Sequence, residues 1–172
     1  MIETLLALCD LPGVSGREDA VRDYLMEQAL PYADKIETDP MGNLMVFRSG
    51  KKHDKTLMLC AHMDEVGYVV KSVSPKGFLF FGKIGSPTEA CMPGRRVLVK
   101  GTKGVVPGVI GTRAGHLLTA EQKAKPQTVG QSYVDICVSS AEEAADLGIG
   151  PGAQIVPYSP CEEMHDPDYL VT

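Results

Sequence analysis

The stretch Ala61-His62-Met63-Asp64-Glu65-Val66-Gly67 decides how this 172-residue chain is read. It follows directly on the apolar run Leu57-Met58-Leu59-Cys60, which reads as a β-strand. On an extended chain residues 62 and 64 point to the same side. The end of a strand is where an α/β sheet presents functional groups. His62 can therefore offer one ring nitrogen to a metal ion. Asp64 can take the N–H of the other nitrogen or otherwise steady the ring, as carboxylates behind metal-bound histidines do. Glu65 faces the other way. By itself His-x-Asp is a short motif, and a lone His at a strand end is more often an ordinary surface or core residue.

Upstream of that stretch, the chain reads as mixed α/β. Ile2, Leu5, Leu6 and Cys9 recur at helical spacing, and Pro12-Gly13 ends the helix. Ser15 followed by Glu18 has the pattern of a capping box. The helix it would open carries Val21, Tyr24, Leu25 and Ala29 on one face and stops before Pro31. Ile36 to Thr38 forms a short strand. Asp39-Pro40-Met41-Gly42-Asn43 is turn chemistry. Leu44 to Phe47 and Thr56 to Ala61 then read as two strands, with the polar Ser49 to Lys55 as the hairpin connection and His53 solvated within it.

Downstream, the composition changes. Only 4 of the 18 glycines fall in residues 1–66, and 14 fall between Gly67 and Gly152. Such a shift predicts two modules, 1–66 and a β-rich module over 67–164, with 165–172 returning to the first. Gly67 to Val73, Phe78 to Phe81, Arg96 to Lys100, Gly104 to Ile110, Tyr133 to Val138 and Ile155 to Val156 are short strands with Gly/Pro turns between them. That pattern predicts a small barrel or sandwich. Ser140 and Glu143 cap one helix, Ala144 and Leu147 face inward, and Gly148 closes it. Polar Thr119 to Gln131 reads as a mobile surface loop.

Composition narrows the function classes. Net charge is −5, from 17 basic and 22 acidic residues, and no more than two basic residues are consecutive. Neither nucleic acid nor an anionic membrane is an expected partner. The longest apolar runs fall far short of the roughly 20 residues of a membrane helix. Acids stand near the N-terminus where a signal peptide has bases, so export is not expected. Five cysteines without a CxxC pair indicate a reducing, cytoplasmic setting with no disulfide framework. Cys9, Cys60 and Cys137 stand among apolar residues, like small core side chains.

Several further stretches stand in order around the His-x-Asp motif. Leu11-Pro12-Gly13-Val14-Ser15-Gly16-Arg17-Glu18 and Asp39-Pro40-Met41-Gly42-Asn43-Leu44 precede it. Gly108-Val109-Ile110-Gly111, His116-Leu117-Leu118 and Tyr133-Val134-Asp135-Ile136 follow it. Ser139-Ser140-Ala141-Glu142-Glu143-Ala144 and Leu147-Gly148-Ile149-Gly150-Pro151-Gly152 come last. Taken together, the chain from residue 2 to its last residue resembles the glutamyl/deblocking, tetrahedral-particle dinuclear metal aminopeptidases. The resemblance implies the N-terminal part of a layered α/β metallopeptidase domain interrupted by a small β-barrel domain, entered just after the His-x-Asp strand. It implies a hydrolase that removes N-terminal residues from peptides and assembles into large hollow homo-oligomers. It also implies two divalent ions, zinc or cobalt, with His62 as a metal ligand and Asp64 as its orienting partner at the catalytic centre. The bridging Asp, the further ligands and the catalytic Glu of that family map beyond Thr172. The expectation is therefore a chain that does not stably hold the metal pair and is inactive without a C-terminal half.

Residues within the chain offer poor substitutes. Glu162-Glu163 resembles the catalytic pair but precedes the expected bridging Asp and reads as solvated charge. Glu142-Glu143 suits a helix first turn. His116 and His165 have no ligand-spaced neighbours, and His116 reads as structural or rim-facing in the barrel segment. A catalytic zinc takes about three protein ligands plus water. Two alternatives stand beside the peptidase reading. One is a non-catalytic assembly or interaction module that kept the barrel and lost the site. The other is a carbohydrate hydrolase, which needs two carboxyls across a cleft and gains little from 6% aromatic residues and no Trp.

Overall fold

The computed structural model describes residues 2–51, 55–125, 127–166 and 168–171. His53 lies outside them. Along the N-terminal part run α1 (Ile2–Cys9), α2 (Asp19–Ala29), a 3-10 turn through Pro31, β1 (Lys35–Thr38) and β2 (Leu44–Phe47). Then come β3 (Gly67–Val73), β4 (Leu79–Ile84), β5 (Arg96–Gly101), β6 (Gly104–Thr112), the short α3 (Ala120–Lys123), β7 (Ser132–Asp135), α4 (Ala141–Asp146) and β8 (Gln154–Pro157). The chain finishes with β9 (Glu162–Glu163) and β10 (Leu170–Val171), which pair with each other.

Strands β3 to β8 close an antiparallel barrel in the order β3-β4-β7-β6-β5-β8. Closure removes the free edges that an open six-stranded sheet would leave. Alternation along the strands fills the interior. Val97 and Val99 point in from β5, Val70 from β3, Leu79 and Phe81 from β4, Val134 from β7 and Ile155 from β8. Tyr68 meets Phe81 edge-on, with ring centroids 5.1 Å apart. A bulge between Val70 and Ser72 bends β3 against β4. Pro107 lies in the part of β6 that β7 does not cover, so its missing N–H breaks no bond with that neighbour.

The small helix behaves as its sequence predicts at its start. The Ser140 hydroxyl accepts the Glu143 N–H, and the Glu143 carboxylate reaches back to the Ser139 N–H. Its end differs. Leu147 is exposed and Ile149, just past the αL turn at Gly148, fills the inward position. β7 also stops earlier than expected, at Asp135. That carboxylate accepts the Cys137 N–H at 2.8 Å, and Cys137 turns to φ 62°. Such a turn cannot continue a ladder. The Thr119–Gln131 stretch contains organised turns: Thr119 with Gln122, and Thr128 with Gln131, bond reciprocally.

The N-terminal part departs furthest from expectation. Residues 55–61 form no strand. The hairpin pairs β1 with β2 across the Asp39–Asn43 turn, so Leu44–Phe47 is not paired with Thr56–Ala61. A strand is stabilised by its ladder partner and by cover on its faces, and this run has neither among the described residues. Leu57, Met58 and Leu59 are 84, 80 and 86% exposed. Cys60 and Cys137 are exposed as well, against the core role expected for them. Helix α1 buries no residue and α2 buries only Val21.

The two parts meet where Val14, fully buried, faces Gly67 at the start of β3. A Cβ on Gly67 would come within 2.4 Å of a Val14 methyl and 2.7 Å of the Ile155 carbonyl oxygen. Gly67→Ala is expected to lower stability by about 1–3 kcal/mol, the usual cost of overpacking a tight site. Gly115→Ala, which meets nothing within 4 Å, should stay within about 0.5 kcal/mol. Urea midpoints of the two variants check both.

Candidate metal-ligand site

The Leu11–Glu18 loop does not start its helix with a Ser15 cap. Glu18 occupies the N-cap position and makes no side-chain cap, its carboxylate taking the Gly16 N–H instead. Ser15 is directed elsewhere: its hydroxyl donates to Asp64 Oδ2, 49 residues away. The loop is held against the His-x-Asp stretch by backbone. Glu65 N–H donates to the Gly13 carbonyl at 2.8 Å, and Val14 and Glu65 form a parallel bridge. The Gly13 N–H donates to Glu65 Oε1 at 3.3 Å. Burial pushes the Glu65 carboxyl above the ordinary glutamate value, and that bond offsets part of the rise.

His62 and Asp64 come together as predicted, but on an extended loop and not at a strand end. The His62 Nδ1 lies 2.9 Å from the Asp64 carbonyl oxygen and 3.1 Å from Asp64 Oδ1. A carbonyl only accepts, so Nδ1 carries the proton. In the neutral ring Nε2 is then the nitrogen with the lone pair, on a side chain that is 85% exposed. The Ser15 hydroxyl first, and then Asp64's own backbone N–H, hold the Asp64 carboxyl below the ordinary aspartate value.

A cleft of about 210 Å³ opens beside this pair. It is lined by Glu18, by Met41 to Leu44, and by Ala61 to Asp64. Three separate stretches singled out in the sequence therefore converge on one hollow. The Asp39 carboxylate builds the middle one, accepting the Met41 and Asn43 N–H groups and the Asn43 amide, each at 2.8 to 2.9 Å. Gly42 supplies the φ of +90° that this turn requires.

Among the described residues, no three His, Cys, Asp or Glu side chains converge to hold an ion. The donors present fit one corner of a metal site, His62 Nε2, and do not fit a complete one. Glu162 and Glu163 are exposed on β9, Glu142 and Glu143 occupy the first turn of α4, and His116 and His165 are exposed away from the cleft. Sequence reasoning missed Ser15 as the partner of Asp64. No local signal marks it, since the contact spans 49 residues.

An α/β chain carrying a closed barrel directly after a His-x-Asp loop has the layout of one peptidase class, and the comparisons agree. The profile of the M42 glutamyl aminopeptidases matches residues 42–171. FrvX of Escherichia coli (strain K12), which carries an aminopeptidase name, is 40% identical over 157 residues, covering 91% of this chain and 44% of that protein. The TET aminopeptidase from the marine sediment archaeon Thaumarchaeota archaeon SCGC AB-539-E09 superposes with a TM-score of 0.88 at 33% identity, over 96% of this chain and 46% of that one. The TET1 peptidase of Pyrococcus horikoshii, which assembles into a tetrahedron or a large octahedral shell, gives a TM-score of 0.81 at 30% identity, over 95% of this chain and 48% of that one. The chain belongs to the M42 glutamyl aminopeptidase family. It spans under half the length of these relatives.

Two titrations follow from the geometry. Ser15→Ala removes the first cause of the lowered Asp64 pKa, so that carboxyl should titrate nearer the ordinary aspartate value when followed by NMR. For Glu65 the shift is upward, so the native state holds a proton that the unfolded state has released. Stability contributed by the neutral carboxyl is therefore lost as pH rises from the ordinary glutamate value through the raised one. Glu65→Gln keeps a carbonyl for the Gly13 N–H and should abolish that loss. Denaturant melts at several pH values on either side of that window compare the two proteins.

Proposed function

We propose that this chain is the N-terminal part of a metal-dependent aminopeptidase that releases N-terminal residues from peptides. Residues 1–66 belong to its catalytic α/β domain, 67–164 to the inserted barrel domain, and 165–172 to the return into the catalytic domain. One observation carries the reading: the His62 imidazole, which lines the cleft, has its Nδ1 committed to Asp64, leaving Nε2 as the nitrogen for a ligand. That is the state an imidazole needs to bind a divalent cation, and a carboxylate behind the ring is its usual support. His62 is the metal ligand of this part. Asp64 orients it at the catalytic centre, and Ser15 positions Asp64.

A pair of zinc or cobalt ions, held from this chain by His62 with Asp64 behind it, would polarise the scissile carbonyl and supply hydroxide at neutral pH. This chain contributes one ligand to it, and the remaining donors come from polypeptide outside residues 1–172. The 172-residue chain alone is therefore inactive. Its partners are peptide substrates, further copies of the same polypeptide, as in the TET1 shells, and the C-terminal half that completes the site. A cytoplasmic setting suits five free thiols. No helix among the described residues is long and apolar enough to cross a membrane.

The experiment is an aminoacyl-p-nitroanilide assay with added zinc or cobalt. The chain alone should show no turnover. The polypeptide extended through the downstream reading frame should be active, and His62→Ala in it should cut kcat/KM by at least about 100-fold, as loss of a metal ligand does. Turnover by residues 1–172, or an extended enzyme indifferent to His62→Ala, refutes the proposal.

A further inference from the structure

A second hollow, of about 420 Å³, lies where the Arg17 end of the Leu11–Glu18 loop meets the barrel. Lys100 of β5 and Gln154 of β8 stand opposite each other in the ladder, so their side chains share one face. The next pair along, Val99 and Ile155, is wholly buried in the core, which puts Lys100 and Gln154 on the barrel's outer face. An outward glutamine is ordinarily wetted. Gln154 lines the hollow yet is only 6% exposed, and its Oε1 has no hydrogen-bond partner among the described residues. A buried acceptor left unpaired costs free energy, and a group that donates to it recovers that cost.

Around that amide the lining is basic. Arg17 and Lys100 both border the hollow, and neither makes an ion pair among the described residues. Asp19 borders it too, but its carboxylate is held by Arg22 at 2.6 Å. At Gly150 and Gly152, which also line it, a Cβ would meet nothing within 4 Å, so a ligand can come close to the backbone there. The Gly150 N–H bonds to no other backbone group among the described residues. The hollow thus offers two cations and a free N–H to an anion, together with one acceptor that needs a donor.

We propose that this hollow is a binding site for inorganic phosphate, taken as hydrogen phosphate. The unprotonated oxygens accept from the Arg17 guanidinium, the Lys100 ammonium and the Gly150 N–H. The O–H donates to Gln154 Oε1, which a small turn about the soft terminal torsion of the side chain brings to the hollow. Phosphate keeps an O–H at neutral pH, whereas sulfate, a tetrahedral anion of similar size, has none. Gln154 therefore discriminates between the two, because an anion without a proton leaves the amide oxygen unpaired. Binding ties the loop that carries Ser15 and Arg17 to β5 and β8. It requires neither a metal nor His62, so the failure of this inference and that of the peptidase reading are separable.

The test is titration calorimetry on the whole chain with inorganic phosphate and with sulfate, at fixed ionic strength in a buffer free of both. Phosphate should bind saturably, with a Kd about tenfold or more below that of sulfate. Arg17→Ala and Lys100→Ala should each weaken both anions by about threefold or more. Gln154→Leu removes an unpaired buried group, so it should melt no lower than the parent and should bring phosphate to the level of sulfate. Lys76→Ala, in the turn between β3 and β4 and outside the hollow, should change neither affinity. The proposal is overturned if phosphate does not saturate, if sulfate binds as tightly, or if Gln154→Leu keeps the preference.

Discussion

The close approach of Val14 to Gly67 is the constraint on which the rest of the molecule is arranged. Val14 is wholly buried, and the space it occupies exists because the first barrel strand begins with a residue lacking Cβ. That contact pins the Leu11–Arg17 loop to the barrel's entrance. The backbone bonds between Gly13 and Glu65 then follow, since Glu65 stands two residues before Gly67. With Glu65 fixed, Asp64 must face the loop on its other side, within reach of Ser15. His62 is thereby placed beside the cleft by a chain of short-range consequences. No element of regular structure holds it there, and a loop tied at three successive residues can serve as well as a strand end.

Magnitudes bear on what the Ser15–Asp64–His62 relay is for. Both side chains are accessible to solvent, where an ion pair is screened by water and adds little to stability. The relay is thus a poor means of holding the fold together. Its effect is on direction and tautomer. The Ser15 hydroxyl holds Asp64 in place, and the Asp64 carbonyl and carboxylate take the Nδ1 proton, so that in the neutral ring Nε2 is the nitrogen left to bind. A neutral imidazole of fixed tautomer is what binding to a cation demands, while a freely rotating surface histidine would lose entropy on capture.

Local patterns made the barrel legible. Its strands alternate with period two, its turns carry Gly and Pro, and each strand pairs with partners inside the same 91-residue span from Gly67 to Pro157. The Asp39–Asn43 turn and the cap at Ser140 were legible for the same reason, because their bonds span four residues or fewer. That His62 and Asp64 share a side follows from their spacing of two residues, whereas their role at a metal centre is implied only by the family resemblance. Errors cluster where the deciding interaction is distant. Leu57 to Ala61 has strand composition, yet a strand needs a neighbour to bond with. Ser15 has the sequence of a cap, where its oxygen would accept a helix N–H, yet its hydroxyl is drawn away to donate to Asp64. Leu147 and Ile149 are both apolar at the end of one helix, and only the αL turn at Gly148 decides which of them faces in.

The two parts of the chain differ in how completely they bury themselves, and the difference connects stability to the proposed chemistry. The barrel has a continuous core of fully buried side chains. In the N-terminal part, Leu57, Met58 and Leu59 lie almost fully in water, and Val46 and Phe47 are about half exposed. Covering the three residues of the 57–59 run would gain on the order of 1.5–3 kcal/mol each. His62 follows that run by three residues. Polypeptide lying along Leu57 to Ala61 would therefore also stand close enough to bring carboxylates and a second imidazole toward Nε2. Under the proposed assignment, association and metal binding are coupled: each ion that ligates His62 and a group on the covering polypeptide favours burial of the run, and burial of the run raises the affinity for the ion by the same free energy. Under that assignment such coupling would account for an exposed histidine held by Asp64, since further ligands would reach it only with the surface that covers the run beside it.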